Sequence, residues 1–232
     1  MMLQAGLGTV AALWRYPVKS MLGEDLGEAE LTERGLRGDR VEAIVDSGDG
    51  SIVSAKKWPR LFELRSGLTE DGVRITLPGG EVITSLQDDC RAVLSRALGR
   101  KVALRSGEGF HDCAGVHLLT TATLERLRAL APGGRFDPRR FRPNVVIDTA
   151  PGLEGFVEND WIGRTLALGG EVLLRVTKPC ERCVMTTLPQ DDLPADPGIL
   201  RAAARHNRAH VGVYAEVLRG GTIRRGDPVA LA

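Results

Sequence analysis

The pattern that most constrains this chain is a succession of short apolar or alternating runs, most of them cut off by a turn-forming residue. LGTVAAL, VEAIV, LFELR, VRITL, KVALR, NVVID, TLALG, EVLLRV and VGVYAEV recur along it, most bounded by Gly, Pro, Asp or Ser. Runs this short, ended by residues that favour turns, read as strands. Two hairpins are expected, one at LPGGEV near residues 77–82 and one around Gly169-Gly170 within WIGRTLALGGEVLLRV (161–176). Helical spacing occurs in three places. After Ser85 as an N-cap, LQDDCRAVLSRALG carries Leu86, Cys90, Val93, Leu94 and Ala97 at helical intervals, which makes Cys90 a core residue. TTATLERLRAL (120–130) and PGILRAAARHNRAH (197–210) are the other two, the last with Pro197 in its first turn. The expected fold is mainly β (α+β), and the strand count favours a barrel over a doubly wound sheet.

Bulk properties narrow the function. A chain of 232 residues with 43% hydrophobic content can bury a real core, as one β-rich domain or two. A net charge of +1 exerts no global pull towards nucleic acid or anionic membrane. The basic residues are nearly all arginine; Lys19, Lys56, Lys57, Lys101 and Lys178 are the only lysines. MMLQAGLGTVAALW lacks the basic region and cleavage site of a signal peptide, and no apolar run is long enough to span a membrane. Four cysteines do not make a secreted disulfide framework, so a reducing, cytoplasmic location is expected.

The chemistry concentrates in KPCERCVMTTLPQ (178–190), where Cys180 and Cys183 follow a strand-like run. With HDCAGVH (111–117) supplying His111, Cys113 and His117, a zinc site can be written, although the spacing is irregular. A thioredoxin-like dithiol needs a helix to begin at the pair, and Pro189, Pro194 and Pro197 exclude a long one. What remains is a thiolate favoured by Lys178 and Arg182, suited to a soft or high-valent metal or to attack on sulfur, against two purely structural thiols. On an extended strand end, residues three apart face opposite ways, so both thiols cannot address one centre unless the chain turns between them.

Anion-ready fragments surround this pair in sequence: Lys19 and Ser20 in WRYPVKS, Asp39 and Arg40 in GLRGDR, Arg142 and Asn144 in FRPNVVID. Cations, a hydroxyl and an amide are what a phosphate or a polar heterocycle requires. RFDPRRFR (135–142) lacks the aromatic interleaving of an RNA surface. His206 and His210 lack the glutamate of a metalloprotease helix and read as a solvated helix face, and Asp191 and Asp192 as surface charges. With no dinucleotide fingerprint, P-loop or iron–sulfur spacing, electrons for any redox step come from elsewhere.

YPVKS, GLRGDR, FRPN, CxRC followed by a Thr pair, GVYAEV and GTIRRGDPV occur here in the order found in MOSC-domain proteins, which this chain resembles. The family is named for the C-terminal domain of the molybdenum cofactor sulfurase. The layout is most similar to its amidoxime-reducing branch. The resemblance implies a MOSC-type β-barrel with a smaller N-terminal β-barrel region and a few peripheral helices. It divides the chain into residues 1–105 and 106–232, packed as one unit. It also implies a molybdenum cofactor (molybdenum on molybdopterin), with Cys183 as metal ligand and catalytic residue. Lys19, Ser20, Arg40, Arg142, Asn144, Arg182 and Tyr214 fall at cofactor-contacting positions. Ala114 and Gly115 replace a Thr-Ser pair of the nearest relatives, and TTLPQDD departs from the usual T-V-D-P. The implied activity is reduction of N-hydroxylated compounds, N–OH to N–H, with a separate electron-donor protein (a reductase, a flavoprotein, or a small iron–sulfur or haem carrier). Alternatives are a sulfur carrier holding a persulfide on Cys183, or a non-catalytic cofactor-binding module. Neither nucleic acid nor membrane is an expected partner.

Overall fold

Alternation along the strands sorts side chains into a core and a surface. In VLLRVTKPCE, Val172, Leu174, Val176 and Cys180 are buried, while Arg175, Lys178 and Glu181 are exposed. The computed structural model describes residues 6–107, 109–110 and 115–232. The first half contributes β1 (Gly6–Arg15), β2 (Glu24–Leu26), β3 (Glu28–Thr32), β4 (Gly35–Leu36), β5 (Glu42–Asp46), β6 (Arg65–Thr69), β7 (Gly72–Thr76), β8 (Val82–Thr84) and β9 (Val102–Ser106). The second contributes β10 (Val116–Thr120), β11 (Val145–Thr149), β12 (Thr165–Leu168), β13 (Val172–Glu181), β14 (His210–Arg219), β15 (Gly221–Arg224) and β16 (Pro228–Leu231). The helices are α1 (Cys90–Leu98), α2 (Thr121–Leu130) and α3 (Pro197–Asn207).

The large sheet runs β11-β10-β14-β13-β12-β16-β1-β2, and a further β1–β11 pairing closes seven of its strands into a barrel. All its pairings are antiparallel except β10–β11. Strand β1 can serve two neighbours because its register shifts between Gly6 and Gly8 against β16 and between Val10 and Ala12 against β11. The barrel interior is filled by Leu13, Leu118, Val145, Ile147, Leu166, Leu174, Val213 and their neighbours, all fully buried. The N-terminal region forms smaller sheets, β5-β9 and β6-β7-β8, linked to the segment after β1 by single bridges at Val18–Glu42 and Leu22–Arg65. These enclose a second core around Ile44, Leu61, Ile75, Leu94 and Val102.

Both expected hairpins form, β7–β8 through a turn in which Leu77 N donates to Glu81 O (2.8 Å), and β12–β13 through Gly169 at φ 60°. The helices differ at their ends. Helix α1 begins at Cys90 rather than after Ser85, because the Ser85 hydroxyl accepts from Val73 N (3.1 Å) and holds residues 85–89 against the small sheet. Asp89 takes the N-cap position, and Leu86 is exposed instead of joining the apolar stripe. Cys90 is in the core, and burial pushes its thiol up to about 11. Helix α3 ends at Asn207, where Arg208 and Ala209 turn left-handed. His206 is therefore helical and His210 lies in β14, so they share no helix face. Among the described residues, no helix is long and apolar enough to cross a membrane.

Candidate functional site

The site is built on the pairing of β13 with β14. Their register shifts twice near its end, between Val176 and Lys178 and between Pro179 and Glu181. Pro179 has no N–H to offer the ladder, and bulges of this kind re-aim the side chains beside them. Lys178 pairs with Tyr214, its ammonium 5.9 Å from the ring centroid. Beyond Glu181 the strand ends, and Arg182 N donates to Ala209 O at 2.7 Å. Cys183 then caps a short 3₁₀ turn, Val184–Thr187. The Thr pair after the cysteine fixes that turn: Thr186 Oγ1 donates to Cys183 O (3.0 Å) and Thr187 Oγ1 to Val184 O (2.8 Å).

Cys183 opens onto a cavity of about 630 Å³, within the range of small-molecule and cofactor sites. Lys19, Ser20, Arg40, Arg142, Arg182 and Tyr214 also line it. With Lys56 and Lys178, six cationic side chains face a single acid, Glu181, on its walls among the described residues. Ser20 (φ 66°), Arg40 (φ 52°) and Arg142 (φ 53°) all sit in left-handed backbone, half of the six such non-glycine residues among those described. Each costs about 1–2 kcal/mol relative to ordinary backbone, a strain that concentrates at functional sites.

Two of the wall arginines are organised by Tyr16. Arg142 lies 4.1 Å and Arg40 5.0 Å from its ring centroid. Arg40 pairs with buried Asp39, whose Oδ1 also accepts from Tyr16 N (2.7 Å). Among the described residues Arg142 makes no ion pair with an acid; Nη1 donates to Met21 O (2.5 Å). Burial, with Arg40 close by, pushes its guanidinium down to about 10. A buried cation without a counter-charge calls for an anion.

Arg182 does not attend Cys183, although the sequence sets them side by side. Its Nη1 donates to Cys180 Sγ (2.6 Å) and its Nη2 to Phe141 O (2.8 Å). Burial alone would raise the Cys180 thiol. Arg182 and His117 beside it, with hydrogen bonds from His117 and Tyr214, outweigh that and hold it at about 6. The stabilised thiolate is the buried cysteine, and the cavity-facing one is Cys183.

Asn144 is the one proposed contact off the cavity wall. It is 1% exposed, with Oδ1 accepting from His117 N (3.1 Å) and Nδ2 donating to Trp14 O (3.3 Å). It ties β1 to β10 beneath the site. His111, Cys113 and Ala114 lie outside the described residues. The His117 ring, besides its contact with Cys180, has Nε2 at 3.2 Å from Val211 O and Nδ1 at 3.4 Å from Arg142 O. Among the described residues, no group of three His, Cys, Asp or Glu side chains is arranged to hold a metal ion.

The profile of the MOSC domain matches residues 107–230, and that of the MOSC N-terminal beta barrel domain matches residues 7–107. The chain belongs to the MOSC family. Relatives include rat mitochondrial amidoxime reducing component 2, 26% identical over 96% of this chain and 83% of that protein. Human mitochondrial amidoxime-reducing component 1 is 27% identical over 97% and 83%. Molybdenum cofactor sulfurase from Drosophila grimshawi is 27% identical over 86% of this chain but only 31% of its own length. The YuaD protein of Bacillus subtilis shares the fold, with a TM-score of 0.55 and 13% identity over 97% of this chain and 94% of that one.

Three residues of this MOSC site carry weight that sequence reasoning did not assign. Tyr16 stands inside the quoted motif WRYPVKS and was the legible one. His117 was read only as a zinc candidate. Arg140, within the basic cluster RFDPRRFR, is fully buried and donates to the carbonyls of Thr186 (3.3 Å), Leu188 (3.4 Å) and Pro194 (2.7 Å). It clamps the loop that follows Cys183. The acids Asp191 and Asp192 lie on the surface as expected, paired with Arg65, Arg139 and Arg135.

Proposed function

We propose that this MOSC protein binds a molybdenum cofactor and reduces N-hydroxylated compounds, taking N–OH to N–H. The observation that carries this reading is a cavity whose charged walls, among the described residues, are cationic but for Glu181, with Cys183 at its edge. The donor set fits such a group: a thiol for molybdenum, and buried guanidinium groups for the anionic pterin phosphate. The unpartnered Arg182 Nε is a further donor without an occupant. Cys183 is the metal ligand in this reading, and Lys19, Ser20, Arg40, Arg142, Arg182 and Tyr214 hold the pterin, with Asn144 bracing the floor. When bound, the cofactor supplies the two-electron chemistry that removes the oxygen. The chain's residues orient the cofactor and leave a mouth between Lys56, Lys178 and Glu181 for an N-oxygenated small molecule. With no second redox motif in the chain, a separate electron-donor protein completes the reaction. The free thiols Cys90, Cys180 and Cys183 suit a reducing compartment, the cytoplasm in our reading, although several relatives are named as mitochondrial.

The similarity to a molybdenum cofactor sulfurase supports a second reading, in which Cys183 carries sulfur as a persulfide for cofactor maturation. One experiment separates them. Protein purified from a host that makes the cofactor is analysed for metal, then assayed with benzamidoxime and a chemical reductant. Near-stoichiometric molybdenum, turnover, and loss of turnover in a folded Cys183→Ala variant support the reductase. Stoichiometric zinc would point to the metal site written with His111 and Cys113. Molybdenum-loaded protein that reduces nothing but transfers labelled sulfur from Cys183 replaces the reductase by the carrier.

A further inference from the structure

Arg142 also lines a second, small cavity of about 20 Å³. Trp14, Tyr16, Arg142 and Gln190 all line it. The same four residues each carry a buried polar atom without a partner: Trp14 Nε1, Tyr16 Oη, Arg142 Nη2 and Gln190 Oε1. Together they are half of all such atoms among the described residues. Buried polar atoms are rarely left unpaired, so four on the walls of one void call for a shared ligand.

We infer that this void binds one ordered water molecule, which locks Arg142 to the loop carrying Cys183. The volume passes the roughly 10–15 Å³ needed to hold a single water. The chemistry matches as well. Trp14 Nε1–H and Arg142 Nη2–H only donate, Gln190 Oε1 only accepts, and the Tyr16 hydroxyl does either. A water accepts two hydrogen bonds and donates two, so all four atoms are satisfied at once. A halide would leave the Gln190 carbonyl oxygen facing an anion. That amide cannot simply turn over, because its nitrogen already donates to Met185 O at 3.3 Å.

The position gives the water a role. Arg142 is common to both cavities, so a water bound in the small one would hold the guanidinium that also lines the large one. Gln190 belongs to the loop that Arg140 clamps after Cys183, and Trp14 belongs to β1. Trp14 and Gln190 are thus positioning residues for anion binding at Arg142. This inference needs only that the large cavity binds anions, and it stands whether or not the reduction chemistry does.

A high-resolution crystal structure of the full chain tests the site, with a bromide soak to identify its occupant. Inorganic pyrophosphate titrated calorimetrically into protein from a host that lacks the cofactor tests the role. One solvent peak within hydrogen-bonding distance of all four atoms, not replaced by bromide, is expected. Gln190→Leu should lose the peak and bind pyrophosphate about fivefold more weakly, a factor in line with one lost hydrogen bond. Gln190→Glu, which keeps acceptor oxygens there, should retain the water, while its carboxylate gives Arg142 a counter-charge and weakens pyrophosphate binding further. Trp14→Phe offers the same comparison from the other side of the void should Gln190→Leu fail to fold. An absent peak, with the four atoms paired to one another, overturns the site, and so does bromide in its place. Wild-type pyrophosphate affinity in a folded Gln190→Leu or Trp14→Phe variant overturns the positioning role.

Discussion

At the scale of single residues, the two cysteines of CERC have exchanged the properties that their neighbours suggest. Arg182 adjoins Cys183 in sequence, yet its guanidinium reaches back to Cys180 Sγ. This has a measurable sign. The Cys180 thiol titrates near 6 in the folded protein against an ordinary value of 9.0. Between those values the unfolded chain binds more protons, so this group makes stability rise with pH. Its contribution is complete above about pH 9 and lost as pH falls through about 6, an effect on the order of a few kcal/mol. Urea titrations at pH 6 and pH 8.5 should therefore give a smaller pH difference in Cys180→Ala than in the wild type. Parallel behaviour of the two proteins would deny the thiolate. A second prediction concerns Arg142, whose buried charge makes no ion pair with an acid among the described residues. Arg142→Ala should lower affinity for the cofactor roughly ten- to a hundredfold, the worth of a charge-assisted bond to a buried anion, as read from bound pterin after dialysis. Undiminished pterin would place the phosphate elsewhere. Lys19, Ser20, Arg40 and Arg142 are legible because each stands within three residues of a glycine or proline that marks a bend. The direction of Arg182 was not, because it is decided by Phe141 and Ala209, far away in sequence.

At the scale of elements, propensity located every helix and tertiary contacts set the ends. Ser85 has the side chain of an N-cap, but a backbone N–H of β7 takes its hydroxyl first. Helix α3 illustrates the opposite end. It stops in two consecutive left-handed residues, Arg208 (φ 52°) and Ala209 (φ 62°), where no glycine announced a stop. The stop is forced because Arg182 N needs Ala209 O and β14 must begin at His210 to pair with Glu181. Ala209→Gly should relieve that backbone and raise stability by about 1 kcal/mol, seen as a shift in the urea midpoint at unchanged slope. No shift, or a fall, would mean that the turn is unstrained and the lost methyl matters more. The Cys-x-x-Cys turn was open in the sequence for the same reason. Residues three apart leave an extended strand on opposite sides, and only the ladder with β14 fixes where β13 ends.

At the scale of the molecule, the two family profiles meet at residue 107, and the barrel core draws on residues from both sides of that point. Strand β1, at the start of the first region, closes the barrel built by the second through its pairings with β16 and β11. Leu7, Val10, Leu13, Ala29, Leu31 and Leu36 fill the same core as Leu118, Leu174 and Val213. Alternation in the sequence could announce strands but not which of them meet, because closure joins residues some two hundred positions apart. Removing β1 would open both neighbouring strands to solvent and expose that core. Residues 106–232 expressed alone should therefore aggregate or remain molten, and the intact chain should unfold in one transition. Gly8 focuses the same point on one atom. Its φ of 148° is open to glycine, and a Cβ there would collide with the carbonyl oxygen of Asp148 on β11. Gly8→Ala should cost about 3 kcal/mol from strain and overpacking at the closing seam. If the two regions share one cooperative unit, the loss must appear identically in two probes. These are the fluorescence of Trp58, which packs against the N-terminal core, and that of Trp161, which lies in the barrel core, each followed with the other tryptophans replaced by phenylalanine. If only the Trp161 transition moves, the regions are independent and the barrel closes without help from its neighbour.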